Sequence, residues 1–202
     1  MKLLIVLAAI LLTGCATLSP DAGFSDVEQA VTLRTGAQTR WARSDDASNS
    51  VQARLKEILA KPIGPLEAVQ IALLNNPGLQ ASYADVGIAE ADLVEASRWR
   101  GATFSFARLR RGGETEIEPS VFFDVLGLIT IPLSVRGEEA RFAAAKNRAA
   151  SEALRVALET RKAWFNAVAA RETTRYMAQV KEAAEASAEL ARRMAEVGNW
   201  PK

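Results

Sequence analysis

The chain has 202 residues, and its 25 basic residues nearly balance its 24 acidic residues. It contains no histidine and a single cysteine, Cys15. Because the charges balance, the chain has no strong positive field that would attract nucleic acid. The composition excludes histidine general bases, Cys–His nucleophiles and His/Cys metal sites. No pair of carboxylates stands out at a spacing typical of catalysis. We therefore expect no enzymatic activity, no cofactor, no metal site and no nucleic-acid partner.

Residues 1–14 have the organisation of a secretory signal peptide. Lys2 supplies a short positive start, and Leu3 to Leu12 form an uncharged apolar run. This run is about half as long as the roughly 20 residues that a membrane-spanning helix needs. A short charged start before a short apolar segment is typical of a signal peptide.

The sequence Leu12-Thr13-Gly14-Cys15 follows this run and resembles a bacterial lipobox, at which cleavage leaves a lipid-modified cysteine. The alternative is a signal peptide that carries a cysteine by chance. Each buried CH₂ of an acyl chain contributes about 0.8 kcal/mol, and more than one chain gives stable anchoring. We expect a lipoprotein that carries palmitate at Cys15. In the bacterial lipoproteins that this segment resembles, an aspartate directly after the cysteine tends to mark retention in the inner membrane. Ala16 stands at this position, which favours the outer membrane.

Residues 15–62 are predicted to form a lipid-anchored N-terminal tether. Residues 16–50 are polar and rich in turn-forming residues, which indicates an extended segment with a short helix around Asp26–Arg34. Val51–Ala60 shows the spacing of an amphipathic helix.

Helices are predicted over residues 66–99, with an interruption at the sequence Asn75-Asn76-Pro77-Gly78. The first helix opens after Pro65, which is favoured at the start of a helix. In the second, Leu79, Tyr83 and Val86 are spaced by four and three residues and define one apolar face.

From residue 102 onwards, apolar and polar residues alternate, which is the period of a β-strand. This pattern predicts a β-hairpin over residues 102–131. Phe104 and Phe106 fall on one face of the first strand, and Gly112-Gly113 provides the turn. The second strand is predicted over Ile117–Ile131 because this segment is rich in β-branched and aromatic residues.

A single long helix is predicted over residues 138–197, which contain neither glycine nor proline. About sixty residues of helix extend roughly 90 Å, whereas a compact domain of this size is roughly 40 Å across. The helix must therefore pair with other helices, and its many alanines favour close packing. Gly198 and Pro201 then indicate a turn.

In this order, the elements resemble the outer membrane efflux proteins of the TolC family. The segment "PLEAVQIALLNNPGLQASYADVGIAEADLVEASR" at 65–98 is similar to the opening of that family. "TFSFARLR" and "VFFDVLGLITIPL" are similar to its first strand pair, and "EVGNWPK" is similar to the start of its periplasmic tip. The resemblance covers roughly residues 26–202.

The resemblance implies a fold that is mainly α with a β-hairpin. A long periplasmic coiled-coil element would accompany two strands of a transmembrane β-barrel shared by a homotrimer. It implies an outer-membrane channel subunit that exports substrates passively and docks on a periplasmic adaptor and an inner-membrane pump. Arg192, Arg193, Gly198 and Asn199 become possible contacts of the tip with the adaptor. The two arginines fit a solvated helix end equally well.

The chain departs from the family pattern in several places. Gly101-Ala102 stands where relatives often have Asn-Pro, and Pro201 stands where they often have a small hydroxyl residue. Family protomers contain two copies of this unit, so we expect residues 63–202 to correspond to a truncated first repeat. The alternative function is a structural periplasmic lipoprotein whose long helix forms a coiled coil and whose hairpin lies outside the membrane.

Overall fold

The computed structural model describes residues 18–99, 101–111 and 114–199. The signal peptide, Cys15 and the glycine turn of the hairpin therefore lie outside the described residues. The chain is mainly helical, with one antiparallel hairpin and one long C-terminal helix, which confirms the predicted fold class at this level. Among the described residues, no helix combines the length and the apolar character needed to cross a bilayer.

Five helices and two strands follow one another along the described chain. Their bounds are α1 Phe24–Thr35, α2 Asp45–Leu59, α3 Pro65–Asn75, α4 Pro77–Ala96, β1 Ala102–Arg111, β2 Glu114–Phe123 and α5 Val125–Glu196.

The segment predicted as an extended tether is folded. Helix α1 buries Phe24, Val27 and Val31, and α2 buries Val51 and Leu55 against α3. The short helix predicted around Asp26–Arg34 and the helix predicted over Val51–Ala60 are therefore confirmed as α1 and α2. They do not lie in an extended segment, because the buried face of α1 packs on α5.

Helices α3 and α4 agree with the prediction to within a few residues. Asn76 separates them, and its side-chain oxygen accepts hydrogen bonds from the N–H groups of Gly78 and Leu79 at 2.8 and 3.2 Å. Pro77 occupies the first turn of α4, where its missing N–H costs nothing. The break is therefore a cap that ends one helix and starts the next.

The main core lies where α1, α3 and α4 pack against the first half of α5. In α5 the buried positions include Ala145, Ala149 and Ala153, which recur every fourth residue. Small side chains at this spacing let the other helices approach the backbone of α5 closely. The largest fully buried side chains on the other helices are Val27, Val31, Val69, Leu73, Leu79, Tyr83 and Val86.

The boundary between β2 and α5 differs from the prediction. Strand β2 ends at Phe123, and α5 starts at Val125 rather than at residue 138. Phe123 pairs with Ala102, the first residue of β1, so β1 offers no partner beyond this point. The side chain of Asp124 accepts a hydrogen bond from the Gly127 N–H at 2.7 Å and caps the new helix. Residues 125–131 are therefore helical, and Pro132 lies inside the helix.

Helix α5 extends far beyond the other helices. Its 72 residues correspond to roughly 110 Å at about 1.5 Å per residue. The Trp164 indole N–H donates to the Ile63 carbonyl at 3.1 Å, near the start of α3. From Phe165 to Ala188, every residue except Val168 is exposed. The second half of α5 thus projects away from the core.

Candidate functional site

The β-hairpin pairs its two strands along their whole length. Ten pairs connect Ala102 with Phe123 at the open end and Arg111 with Glu114 at the turn end. The sheet of the described residues contains these two strands alone. Ten residues at about 3.3 Å each, tilted by about 40°, span about 25 Å, which is the height of the apolar band of a membrane barrel.

One face of the hairpin is apolar and exposed. Phe104 lies opposite Val121, and Phe106 lies opposite Pro119. The two phenylalanines are 67% and 77% exposed. Large apolar side chains that share one exposed surface are typical of an interaction or membrane-contact site.

The opposite face is mainly polar. The hydroxyl groups of Ser105 and Ser120 lie 2.7 Å apart across the strands. Glu118 and Glu116 follow on this face towards the turn, opposite Ala107 and Leu109. The alternation predicted from the sequence is therefore present in the paired hairpin, although Phe122, opposite Thr103, adds an exposed apolar side chain to the mainly polar side.

Basic residues border the apolar face at the turn end. Arg108 pairs with Ile117, and Arg110 pairs with Thr115. By alternation along β1, both arginines follow Phe104 and Phe106 on the same face. This face therefore changes from apolar to basic towards the turn.

The first turns of α5 also carry exposed apolar side chains. No charged residue occurs between Val125 and Val135. Leu126, Ile129 and Leu133 are all more than 70% exposed. A second set of exposed apolar side chains thus follows directly after the strands in the chain.

The projecting half of α5 carries an apolar stripe. Its positions are spaced alternately by four and three residues, which is the pattern of a coiled-coil seam. They are Tyr176, Val180, Ala183, Ser187, Leu190, Met194 and Val197. Ala183 and Ser187 are small, whereas Tyr176 and Leu190 are large and about 60% exposed. The stripe is suited to packing against another helix.

The predicted tip residues fall into two groups. Arg192 and Arg193 both contact Glu189, and the Arg193 Nε donates to a Glu189 carboxylate oxygen at 2.8 Å. The two arginine side chains are largely exposed, and that of Glu189 is partly exposed. The arginines therefore form local ion pairs within the last turns of α5. Their positive charges also interact favourably with the helix dipole at this end.

Gly198 and Asn199 form the helix stop. Gly198 has a left-handed backbone with φ of 72°. The Gly198 N–H donates to the Ala195 carbonyl at 3.1 Å, and the Asn199 N–H donates to the Met194 carbonyl at 2.9 Å. These two bonds define a Schellman motif. The predicted helix stop at Gly198 is confirmed.

A contact near the N-terminus was not anticipated from the sequence. Glu90 of α4 is 7% exposed and accepts two hydrogen bonds from Ser19. Its position could have been noticed, because Leu79, Tyr83, Val86 and Glu90 continue one spacing of four, three and four. A carboxylate on an otherwise buried stripe signals a specific partner.

Comparisons with protein-family models, curated protein sequences and solved structures found no match. Within the described residues, no group of three or more potential ligands could hold a metal ion. The exposed surfaces that stand out among the described residues are the amphipathic hairpin and the projecting part of α5.

Proposed function

We propose that the chain is a subunit of an outer-membrane export channel, the passive conduit of a tripartite efflux system. In this proposal Cys15 carries the lipid anchor, and the β1–β2 hairpin enters a barrel shared by a homotrimer. Helix α5 contributes to a periplasmic tunnel that meets an adaptor and an inner-membrane pump. Arg192, Arg193, Gly198 and Asn199 would face the adaptor at the tip.

The amphipathic hairpin is the observation that carries the proposal. Its strands have ten residues each, with Phe104 and Phe106 exposed on one face and the Ser105–Ser120 pair on the other. Two strands alone leave unpaired backbone groups at both edges, and only a closed barrel satisfies them in lipid. In such a barrel the apolar face contacts lipid and the polar face lines the interior. A shared barrel accounts for both faces and both edges.

The long helix supports the same proposal. Its projecting half exposes an apolar seam that includes Val180 and Ala183. Neighbouring helices of a tunnel would cover this seam. Charged residues of both signs occupy much of the remaining surface of this half, as expected for a wall in contact with water.

A cysteine scan of the hairpin in the full-length Cys15-acylated chain tests the barrel. Single substitutions Phe104→Cys, Phe106→Cys, Ser105→Cys and Ser120→Cys are made in cells, and outer membranes are treated with a membrane-impermeant thiol reagent. We expect the two serine positions to react at least five times faster than the two phenylalanine positions, because lipid shields the apolar face. A lipid-soluble reagent should reverse this order.

The assembly is measured on the same membranes by chemical crosslinking. A crosslinked trimer in the outer-membrane fraction supports the proposal. Equal reaction of all four cysteines with the impermeant reagent, or a monomer in the soluble periplasmic fraction, contradicts it.

A second candidate function is favoured by the seam on α5. The chain would then be a structural periplasmic lipoprotein whose projecting helix forms a coiled coil, with a hairpin outside the bilayer. Crosslinks along Val180 and Leu190, combined with full access of the impermeant reagent to both hairpin faces, would favour this second function over the channel.

A further inference from the structure

A buried carboxylate attaches the N-terminal segment to α4. The Oε1 atom of Glu90 accepts the Ser19 backbone N–H at 2.9 Å and the Ser19 hydroxyl at 2.5 Å. The two residues are 71 positions apart in the sequence. Since both donors of Ser19 converge on one oxygen atom, Ser19 is fixed in both position and orientation.

Two further contacts hold the same segment. The Ser19 Oγ accepts a hydrogen bond from the Gly23 N–H at 3.1 Å. The Pro20 carbonyl accepts a hydrogen bond from the Arg43 guanidinium at 2.8 Å. The segment is thus attached to α4 on one side and to the α1–α2 connection on the other.

The attachment carries a cost in folding free energy. In the described part of the chain, the second carboxylate oxygen of Glu90, Oε2, is buried without a hydrogen-bond partner. A buried polar atom without a partner destabilises a fold, and an apolar residue at this position would avoid the cost. The carboxylate therefore favours a defined position of Ser19 over maximal stability.

The attachment lies towards the hairpin end of the helices. Glu90 is six residues before the end of α4 at Ala96, a rise of roughly 9 Å. Strand β1 begins at Ala102. Cys15 precedes Ser19 by four residues, which span at most about 14 Å. Chain length therefore keeps the expected lipid attachment point within about 14 Å of a residue that is held near the hairpin end of α4.

We propose that Glu90 is a positioning residue that fixes the exit point of the lipid-bearing N-terminus, so that the lipid anchor and the hairpin meet the same membrane surface. This inference rests on the proposed function, since it requires an acylated Cys15 and a hairpin in lipid. The hydrogen bonds of Ser19 hold the segment, and the anchor then limits the distance between the hairpin and the bilayer.

Spin labels on the full-length chain in lipid nanodiscs test the attachment. Leu18→Cys and Lys162→Cys place labels beside Ser19 and on α5, both at exposed positions. We expect a narrow distance distribution in the parent and a distribution at least twice as wide in Glu90→Ala. Glu90→Gln should stay narrow, because its amide oxygen still accepts both bonds. Asp92→Ala, which removes an exposed carboxylate of the same helix, is the matched control.

The consequence for the membrane is measured with Phe106→Cys and the lipid-soluble reagent. We expect labelling to fall at least twofold in Glu90→Ala relative to Glu90→Gln. A purely structural role of Glu90 would lower the thermal unfolding temperature without widening the distribution. A narrow distribution in Glu90→Ala, or unchanged labelling, overturns the inference.

The mass of the purified chain reports acylation, and the parent Phe106→Cys labelling reports contact with lipid. If either fails in the parent, the proposed function fails, while the label distances still show whether Glu90 holds Ser19. The two failures are therefore distinguishable.

Discussion

The hydroxyl groups of Thr39 and Tyr83 lie 2.6 Å apart in the core, although 44 residues separate them in the sequence. Both side chains are almost completely buried, at 1% and 0% exposure. Thr39 belongs to the connection between α1 and α2, and Tyr83 belongs to α4. Their hydrogen bond shows that the N-terminal region is an integral part of the fold.

Removal of one partner of this pair should destabilise the protein. We expect Tyr83→Phe to lower the free energy of unfolding by about 1–3 kcal/mol, because the buried Thr39 hydroxyl loses its partner. The double variant Thr39→Val with Tyr83→Phe should recover part of this loss, because no buried hydroxyl remains. Urea unfolding of the single and double variants measures the coupling. Strictly additive losses would contradict it.

Tyr83 should also make the fold sensitive to high pH. Burial raises the pKa of the Tyr83 phenol above its ordinary value of 10.0, although the Thr39 hydrogen bond acts in the opposite direction. Above pH 10 the unfolded chain releases this proton first, so stability present below pH 10 is lost as pH rises. Compared with Tyr83→Phe, the parent should lose more stability between pH 9 and 11. An equal decrease of the melting temperature in the two proteins between pH 9 and 11 would refute the expectation.

Asp21 should make the fold sensitive to low pH. Hydrogen bonds from the Ser25 side chain and backbone, together with a weaker one from the Gly23 N–H, lower the pKa of Asp21 from 3.8 to about 2. Stability from this group is fully present above pH 3.8 and is lost as pH falls towards 2. We expect Asp21→Ala to have a lower melting temperature than the parent at pH 6, and the difference to shrink near pH 2. A difference that does not depend on pH would show that Asp21 acts without its charge.

Gly23 has two reasons to remain glycine. Its φ is +66°, and an added Cβ would come within 2.6 Å of the Phe142 ring. Gly36 is a matched control, since its φ is +72° but its Cβ would lie 3.9 Å from Leu66. We expect Gly36→Ala to cost about 1 kcal/mol for the backbone alone, and Gly23→Ala to cost about 1–3 kcal/mol more through overpacking. Denaturant unfolding measures both, and equal losses would contradict the close contact.

The alanine stripe of α5 should tolerate no larger side chains. Ala153 is fully buried against the other helices, whereas Ala178 lies exposed on the projecting half. We expect Ala153→Leu to destabilise the protein by about 1–3 kcal/mol. Ala178→Leu should change stability by less than about 0.5 kcal/mol. Circular dichroism during thermal unfolding compares the two. Similar losses would show that α5 is packed along its whole length.

Lipid modification is expected to depend on one residue. Cys15→Ser should abolish the lipid label; it should also release the protein from membranes if the hairpin lies outside the bilayer, whereas a hairpin in a barrel would retain it. Cell fractionation and metabolic labelling with palmitate measure the two effects. An absence of lipid label in the parent would remove the lipoprotein hypothesis.

The sequence by itself determined the types of most elements. The spacing of Leu79, Tyr83 and Val86 predicts the buried face of α4, and the alternation around Phe104 and Phe106 predicts the faces of the hairpin. Gly198 predicts the helix stop. These features are local, because each follows from backbone preferences and side-chain period within a few residues.

The tertiary structure decided the rest, because it depends on partners distant in the sequence. Strand β2 ends at Phe123 because Ala102, its partner, begins β1. Helix α1 joins the core because α5 offers an alanine surface more than 100 residues away, where Lys146 also meets Asp26 at 2.5 Å. Glu90 has hydrogen-bond partners inside the fold only because Ser19 lies against it. No local pattern contains these pairings, since each joins residues that are far apart in the sequence.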